Sequence, residues 1–239
     1  MIEGPIVITG GAQRFGLELA KSFIKSGHSV VVTYRTKHDR VNWLRDRGVD
    51  CVQADIIDDA SINELVGYLK QHYSKLRALI HNASDWITDQ SEESPSNIFD
   101  RSMLIHAKAP YLLNWHLKEE LKSNYQSFGR ADIIHMSDFI VEKGSKKHLA
   151  YAASKAALDN LTKSFAAKYA PEIKVNAIAP SLMMFNEDDD EFYRERAKEK
   201  HLLSPGPGER EGINAVQFLM ESKYITGRTI SLDGGRSLI

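Results

Sequence analysis

Seven short apolar segments, separated by longer amphipathic stretches, constrain the fold of this chain most strongly. The strands they predict lie at residues 6–9, 29–33, 49–54, 78–81, 131–136, 173–178 and 230–232. The stretches between them predict helices at about 15–26, up to 47, at 60–73, at 97–123 and at 151–169. Apolar strands that alternate with helices are typical of a parallel sheet covered on both faces. The sequence therefore predicts an α/β fold, a doubly wound parallel sheet whose ligand lies beyond the carboxyl ends of the strands.

The length of the chain fits one domain, and we assign residues 1–239 to it. One segment, 182–209, departs from the alternation because it is irregular, charged and rich in Pro and Gly near 205–208. Long irregular segments of this kind often cover a functional site. We interpret 182–209 as a lid over the substrate and not as a linker between domains.

Composition excludes several classes of protein. Lys and Arg number 31 against 32 Asp and Glu, so no overall basic field attracts nucleic acid or an anionic membrane. Cys51 is the single cysteine, which excludes an internal disulfide framework and a zinc site with several cysteines. The start of the chain does not resemble a signal peptide, and no apolar run reaches the length of a transmembrane span. We expect a cytoplasmic protein without nucleic-acid or membrane partners.

The charged clusters predict no metal site. The acidic run at 187–191 consists of consecutive carboxylates, which cannot converge well on one ion, and the histidines show no metal-binding spacing. We interpret the run as the solvated start of a lid helix, where negative charge is favourable. A basic patch before Tyr151 is too small for nucleic acid and either meets a phosphate or is solvated; it consists of Lys143, Lys146, Lys147 and His148.

A glycine-rich turn follows the first strand and predicts a phosphate site. The turn contains Thr9, Gly10, Phe15 and Gly16, and a helix starts within it. Glycines let the backbone turn tightly and approach an anion, and the unpaired N–H groups at a helix start attract phosphate. Arg14 is either a surface arginine or a cation that reaches a pyrophosphate or an anionic face of the substrate.

The end of the second strand predicts which dinucleotide is bound. An acidic residue at this place would hold a free ribose 2′-hydroxyl, but the chain has Tyr34, Arg35 and Thr36 there. A guanidinium group and a hydroxyl suit a 2′-phosphate, so we predict NADPH in preference to NADH. A solvated charge after a strand is the alternative. Asp55, after the third strand, either accepts from the adenine amino group or caps the next turn.

Tyr151 and Lys155 lie one helical turn apart and predict an acid for catalysis. Their i, i+4 spacing places them on one helix face. A phenol, whose pKa is near 10, donates a proton poorly at neutral pH unless a cation stabilises its anion, and Lys155 supplies that cation. The pair alone is common in helices. Its place after the fifth strand, downstream of a dinucleotide turn, predicts proton transfer, and Lys155 can also hold the nicotinamide ribose.

Five motifs, taken in order, resemble those of the short-chain dehydrogenase/reductase family. They are the turn at 9–16, Asn82-Ala83, the Tyr151/Lys155 pair, residues 176–180 and residues 225–235. The resemblance spans nearly the whole chain and implies a Rossmann-type sheet of about seven strands, an oxidoreductase, and a homotetramer built through two long helices. The further cofactor-binding residues that it implies are Ile56, Asn82, Ala83, Ser84, Pro180 and Ser181.

Residue 138 departs from the family pattern. Members usually carry a serine thirteen residues before the active tyrosine, whereas this chain has Asp138 there, with Ser137 just ahead. Either Ser137 acts from a shifted position or Asp138 is the counterpart. Because adjacent side chains of a strand face opposite ways, we favour Asp138. A carboxyl group beside the tyrosine suits proton transfer to a ring nitrogen better than binding of a simple carbonyl.

Asp138, Arg14 and Trp86 together resemble the pteridine reductases within the family. Trp86 stands where those enzymes stack the pterin ring against the nicotinamide, and a flat bicyclic ring favours an aromatic face. An exposed-loop or core aromatic is the alternative for Trp86. Within the branch, the segments at 34–36 and 81–84 are most similar to those of bacterial dihydromonapterin reductases. The resemblance assigns substrate binding to Arg14, Trp86, Asp138 and Tyr151.

Two further residues depart from the family pattern. His106 occupies the place where many members carry an asparagine that helps to hold a water beside the lysine. It preserves that role through its carbonyl group, shuttles protons itself, or is a packed helix residue. Ser181 replaces the glycine that usually follows Pro180, and a stiffer lid hinge is the expected consequence.

The resulting hypothesis is an NADPH-dependent reductase of dihydropterins: dihydromonapterin, with dihydrobiopterin and dihydrofolate as further candidates. The catalytic residues are predicted to be Asp138, Tyr151 and Lys155, with no metal. One alternative is a general short-chain carbonyl reductase acting on a 3-oxoacyl or sugar substrate. Another is an NADPH-sensing protein without turnover, which the intact Tyr151/Lys155 pair disfavours.

Overall fold

The computed structural model describes residues 3–185, 189–203 and 208–239. Parts of two predicted features lie outside these ranges: Glu187 and Asp188 of the acidic run, and residues 186–188 and 204–207 of the proposed lid. Among the described residues, no helix is both long enough and apolar enough to cross a membrane.

Seven parallel strands form one sheet, which confirms the predicted fold class. The strands are β1 (Ile6–Ile8), β2 (Val30–Tyr34), β3 (Asp50–Gln53), β4 (Ala78–His81), β5 (Asp132–Met136), β6 (Lys174–Pro180) and β7 (Thr229–Leu232). Their order across the sheet is β3-β2-β1-β4-β5-β6-β7. The order reverses between β1 and β4, and in open α/β sheets ligands bind beyond the strand ends at such a reversal.

Helices cover both faces of the sheet. They are α1 (Arg14–Lys25), α2 (Asp39–Arg45), α3 (Asp59–His72), α4 (Pro95–Met103), α5 (Ala109–His116), α6 (Lys118–Phe128), α7 (Ile140–Lys143), α8 (Leu149–Tyr169), α9 (Glu191–Lys198) and α10 (Gly208–Glu221), with a π-helical segment (Leu104–Lys108) and a 3-10 turn (Arg236–Leu238). The alternation along β1 separates two cores: Ile6 and Ile8 pack with residues of α1 and α10, whereas Val7 packs with residues of α3, α5 and α8.

The prediction of one unbroken helix at 97–123 is wrong. The segment begins at Pro95, after the capping side chain of Ser94, and is widened into a π-helical turn at Leu104–Lys108. Pro110 explains the widening, since it has no N–H for the carbonyl group one turn earlier and its ring collides with that group. The chain breaks again at Leu117 before α6.

The last third of the chain contains a helix that was not predicted. This helix is α10, Gly208–Glu221, although Val216 and Leu219 lie on its buried side. Within the proposed lid, α9 begins at Glu191, and the Asp190 carboxylate caps it by accepting from the Tyr193 N–H at 2.6 Å. The acidic run thus ends at a helix start, as predicted for its described part.

Candidate active site

The turn after β1 forms a tight cradle with the loop after β4. The Thr9 hydroxyl oxygen accepts from the backbone N–H groups of Asn82 and Ala83, at 3.0 and 3.1 Å. The Asn82 amide donates back to the carbonyl groups of Thr9 and Gly10, both at 3.1 Å. A Cβ atom on Gly16 would lie 2.5 Å from the Gly10 oxygen, so a side chain cannot replace that glycine. The motif residues predicted to bind the cofactor therefore form one rigid unit.

The start of α1 is open to an anion. Its N-cap residue, Gln13, makes no capping side-chain bond, and the first turn contains no acidic residue. Arg14 is exposed and adopts a left-handed backbone with φ of 49°, while Phe15 is buried beneath it. Free N–H groups at a helix start, next to an exposed guanidinium group, fit a pyrophosphate. The local geometry thus fits the predicted dinucleotide.

The end of β2 presents an exposed cation. Arg35 and Thr36 are exposed, whereas Tyr34 is buried and its hydroxyl accepts from Arg45 at 3.1 Å. Asp55 caps the turn that follows it, because one of its carboxylate oxygens accepts from the Ile57 N–H at 3.3 Å. The neighbouring Ile56 is half-buried at the same edge of the sheet.

Asp138, Tyr151 and Lys155 come together at the carboxyl end of β5. The Tyr151 hydroxyl donates to one Asp138 carboxylate oxygen at 2.9 Å, and the Ile140 N–H donates to the other at 2.9 Å. The Lys155 ammonium donates to the Met136 carbonyl oxygen at 2.7 Å. Ser137 is buried, and its hydroxyl has no hydrogen-bond partner among the residues that the structure describes. Of the two residues considered, Asp138 is the one beside Tyr151.

Burial governs the charge state of this trio. Burial, followed by the Asp138 charge, raises the pKa of Tyr151 well above 10. Burial lowers the pKa of Lys155 to about 8, although the Asp138 charge opposes the shift. The pKa of Asp138 is raised by burial, against the effect of its hydrogen bond from Ile140 and the charge of Lys155. Carboxyl, phenol and ammonium groups close together can hold and pass on a proton near neutral pH.

Trp86 forms an exposed aromatic wall beside Tyr151. Its side chain is 56% exposed, and its ring lies edge-on to that of Tyr151, with 4.6 Å between centroids. The His148 ring packs against that of Trp86, with 4.0 Å between centroids, and is held by its contact with the Ile87 carbonyl oxygen at 3.0 Å. A wall of this kind can bind a flat ring. His148 was predicted only as part of a basic patch, and no local sequence signal linked it to Trp86.

His106 connects Ser84 to α8, and this link was not predicted. Its Nε2 atom lies 2.8 Å from the Ser84 hydroxyl and its Nδ1 atom 2.8 Å from the Ser154 hydroxyl. The imidazole is fully engaged between these two hydroxyls, so its side chain is part of the site.

A second polar chain, also missed, lies beneath the site. The side chains of His81, Asn114, His135 and Thr162 are hydrogen-bonded in series. Burial lowers the pKa values of both histidines, so the chain is neutral. The four residues are far apart in sequence, which is why no motif indicated them.

The hinge of the proposed lid is held at Ser181. Its hydroxyl lies 2.7 Å from His201 Nε2, and His201 Nδ1 donates to the Ala197 carbonyl oxygen at the end of α9. Pro180 ends β6, and its carbonyl oxygen accepts from the Phe139 N–H at 3.1 Å. A cavity of about 240 Å³ lies between the hinge and the start of α10, lined by Leu182, Met183, Met184, Phe185, Lys198, Gly208 and Glu209. Ser181 thus connects the end of β6 to the segment after α9 through His201.

Comparison with known proteins supports the same interpretation. The family model described as enoyl-(acyl carrier protein) reductase matches residues 10–237. Dihydromonapterin reductase of Klebsiella pneumoniae is 50% identical over 234 residues, which cover 98% of this chain and 97% of that protein. The chain belongs to the short-chain dehydrogenase/reductase family. It is an oxidoreductase, and membership implies a nicotinamide dinucleotide cofactor.

Other relatives agree over the same length. Dihydromonapterin reductase of Escherichia coli is 46% identical over 98% of this chain and 97% of that protein. The crystal structure of FolM alternative dihydrofolate reductase 1 from Brucella canis, complexed with NADP, is 29% identical, with a TM-score of 0.87 over 99% of this chain and 94% of that one. A Clostridium thermocellum enzyme at 24% identity and a TM-score of 0.86 supports the fold alone. The prediction of a Rossmann-type sheet with seven strands is confirmed.

Proposed function

We propose that this protein is an NADPH-dependent reductase of dihydropterins, with dihydromonapterin as the preferred substrate. One observation carries the proposal: the Asp138 carboxylate lies 2.9 Å from the Tyr151 hydroxyl, where most family members are expected to have a serine. The similarity to dihydromonapterin reductases over nearly the whole chain supports the substrate. The similarity to the Brucella canis alternative dihydrofolate reductase, which was crystallised with NADP, supports the pterin class and the cofactor.

The ring of the substrate is bound before any proton moves. The exposed part of the Trp86 ring would hold one side of a flat bicyclic ring, next to the nicotinamide-binding residues. The polar edge of the ring is directed towards Asp138 and Tyr151, while Arg14 contacts the cofactor phosphates or the anionic edge of the substrate. Asn82, Ala83 and Ser84 would hold the cofactor beside this site.

The reduction adds a hydride to C6 and a proton to N5 of the dihydropterin, which breaks the C6–N5 double bond. NADPH, when bound, supplies the hydride and leaves as NADP⁺. Tyr151 supplies the proton, directly or through a water. A proton taken up from solvent then returns to the phenolate oxygen by way of the Asp138 carboxylate, through the existing 2.9 Å contact. The Lys155 ammonium stabilises the negative charge and holds the nicotinamide ribose, since it has one acceptor, Met136, among the described residues.

Preference for NADPH over NADH is assigned to Arg35 and Thr36. Both side chains are exposed beside the cradle, and a planar guanidinium group binds a 2′-phosphate through two donors. In an Arg35→Asp variant the negative charge repels a 2′-phosphate and accepts from a 2′-hydroxyl. The ratio of kcat/KM with NADPH to that with NADH is therefore expected to fall about 100-fold, the range that one charged contact provides.

We also propose a cytoplasmic homotetramer and a substrate lid at 182–209. Support for association comes from an apolar groove of about 830 Å³ on the α4, α5 and α8 face, lined by Asp100, Met103, Leu104, Ala107, Lys108, Tyr111, Ala157, Asn160 and Leu161. A second copy of the chain would cover this face. Light scattering of the purified protein tests it: four copies are expected, and a monomer at micromolar concentration contradicts it.

The activity is tested by NADPH consumption with a panel of substrates. Dihydromonapterin, dihydrobiopterin and dihydrofolate are compared with a 3-oxoacyl thioester and a simple ketone under the same conditions. The proposal expects kcat/KM for dihydromonapterin to exceed that for either carbonyl compound by at least about 100-fold, as expected when buried polar groups match one substrate only. Equal or better reduction of the carbonyl compounds would assign a general carbonyl reductase. Saturable NADPH binding without any turnover would indicate a sensor.

A further inference from the structure

A buried histidine lies between the two halves of the proposed site. His106 is 1% exposed and belongs to the π-helical segment Leu104–Lys108. Its ring packs edge-to-face against that of Tyr151, with 5.1 Å between centroids and an interplanar angle of 86°. The proposed reaction gives this imidazole no task, although both of its nitrogens are hydrogen-bonded.

The directions of these hydrogen bonds follow from one backbone group. The Asp85 N–H points at His106 Nε2 at 3.4 Å, and a backbone N–H can only donate. Nε2 is therefore an acceptor, and the neutral ring carries its proton on Nδ1. The Nδ1–H donates to the Ser154 hydroxyl, which itself donates to the Tyr151 carbonyl oxygen at 2.7 Å. By the same logic the Ser84 hydroxyl donates to Nε2 at 2.8 Å.

The neutral state of the ring preserves these directions. Burial, together with the Lys155 charge, lowers the pKa of His106 well below 6.5. A protonated ring would replace the Nε2 acceptor with a donor and repel the Asp85 N–H. At neutral pH the bonds from Ser84 and Asp85 are therefore kept.

The hydrogen-bonded chain joins the substrate-binding loop to the catalytic helix. Residues 82–86 carry Trp86 at one end, and α8 carries Tyr151. An ion pair between Asp85 and Arg101 of α4 holds the loop from its other side. The Trp86 and Tyr151 rings, 4.6 Å apart, are thus attached to two elements that meet at His106.

We propose that His106 is a positioning residue, a neutral imidazole that ties the Trp86 loop to helix α8 and so fixes the ring-binding wall relative to the proton donor. Its two nitrogens point in opposite directions, which lets one side chain bond to Ser84 and Ser154 at once. Asparagine, expected here in many family members, is shorter and carries both polar atoms at one end, so it cannot bridge the same two hydroxyls. The kinetic consequence rests on the proposed function.

The kinetic test is a double-mutant cycle. His106→Phe keeps an aromatic ring against Tyr151 but removes every hydrogen bond. We expect KM for dihydromonapterin to rise about tenfold and kcat to fall about tenfold. Each change corresponds to the free energy of one or two hydrogen bonds. Kd for NADPH should stay within about twofold of the wild type. Because His106 acts on substrate binding through Trp86, the His106→Phe/Trp86→Ala variant should have the same KM as Trp86→Ala alone.

Two controls separate positioning from mere stability. His72→Phe removes an exposed histidine of α3 whose ring bonds within its own helix, and its kinetics should equal those of the wild type. His106→Asn, the family residue, replaces His106→Phe if that variant does not fold, with the same expected direction and a smaller change. Folded His106 variants with wild-type kinetics, or independent KM effects in the double variant, overturn the proposal.

A spectroscopic measurement decides the state of His106 without any substrate. Nitrogen-15 NMR of histidine-labelled protein, assigned by comparison with His106→Asn, should show an Nδ1-protonated ring that does not titrate between pH 5 and 8. An Nε2-protonated ring, or titration near 6.5, overturns the proposal. If the wild type reduces no dihydropterin, the proposed function fails, while the tautomer still decides whether the tie exists.

Discussion

Strand β5 carries a buried carboxylate at each of its ends, and the two differ in how their partners are used. At the start, Asp132 is fully buried, 2.5 Å from Arg77 and 3.0 Å from Lys174. Those cations also donate to backbone carbonyl groups at the end of α10, so each cation has both a carboxylate and a carbonyl partner. At the other end, Asp138 contacts Tyr151 and the Ile140 N–H, beside an exposed aromatic wall.

A structural ion cluster and a reactive one differ in how far the buried charge is compensated by its neighbours. Asp132 has two compensating cations within contact distance, and replacing it would remove the only carboxylate that both of them contact among the described residues. Asp138 accepts from a phenol and an amide, and the nearest ammonium, Lys155, is bonded to a backbone carbonyl oxygen. Its charge is only partly compensated, which leaves room for a proton to move. One end of β5 should therefore control stability and the other turnover.

The largest expected effect is on turnover at the carboxyl end. Tyr151→Phe removes the proton donor and keeps the ring between Trp86 and His106. We expect kcat for dihydromonapterin to fall about 1,000-fold, within the usual range for loss of a general acid. Stopped-flow and steady-state rates measure the loss, and calorimetry should find NADPH binding within about twofold of the wild type. Retained turnover would remove Tyr151 from the mechanism.

The amino end should show the opposite pattern. Asp132→Ala removes the carboxylate that both Arg77 and Lys174 contact and leaves Glu3 as the remaining carboxylate partner of Arg77 in the described part of the chain. The free energy of unfolding should therefore fall by about 3 kcal/mol, as measured by denaturant titration. The folded variant should keep the kcat of the wild type. Asp59→Ala is the matched control, since it breaks an exposed pair with Lys108 and should cost less than about 1 kcal/mol. A selective loss of kcat in Asp132→Ala would contradict the division between the two ends.

The pH dependence of kcat/KM tests whether Asp138 acts on Lys155. Reduction needs the Lys155 ammonium, whose pKa is lowered to about 8 by burial and raised by the charge of Asp138. In the wild type, kcat/KM should fall as pH rises through about 8. Asp138→Asn removes the influence that raises this pKa, so the fall should move to lower pH. A profile that moves to higher pH, or one that does not move, would show that the two groups are not coupled.

The smallest effect is expected at the aromatic wall. Trp86→Ala removes the exposed ring and should raise KM for dihydromonapterin about tenfold, which corresponds to about 1.4 kcal/mol. Trp86→Phe should recover most of this loss. Trp43→Ala serves as a comparison because that ring packs with Lys21 and Arg47 around α2 and should leave KM unchanged. If KM is unchanged in Trp86→Ala, the Trp86 ring packs against His148 and does not bind the substrate.

The sheet was predictable from sequence, and much of the polar site was too. Strands β1 to β7 follow from β-branched runs, and β4 was predicted with its observed ends. Asp138 was paired with Tyr151 from the resemblance to the family, and the alternation of strand side chains favoured it over Ser137. The contacts of His106 with Ser84 and Ser154 were not predictable from sequence. These two residues come from distant segments, and they reach the ring because a π-helical turn orients it. The prediction of one long helix was wrong for a local reason, because Pro110 widens the segment into a π-helical turn.

We propose that the contact between Asp138 and Tyr151 adapts this site to a ring nitrogen. Asp138→Ser removes the carboxylate from this contact and restores the usual family residue. The measurement is kcat/KM for dihydromonapterin and for a simple ketone, in the wild type and in this variant. Our account predicts that the substitution lowers the dihydromonapterin value about 100-fold and leaves the ketone value unchanged or higher. Equal changes for both substrates, or undiminished reduction of dihydromonapterin, would contradict it.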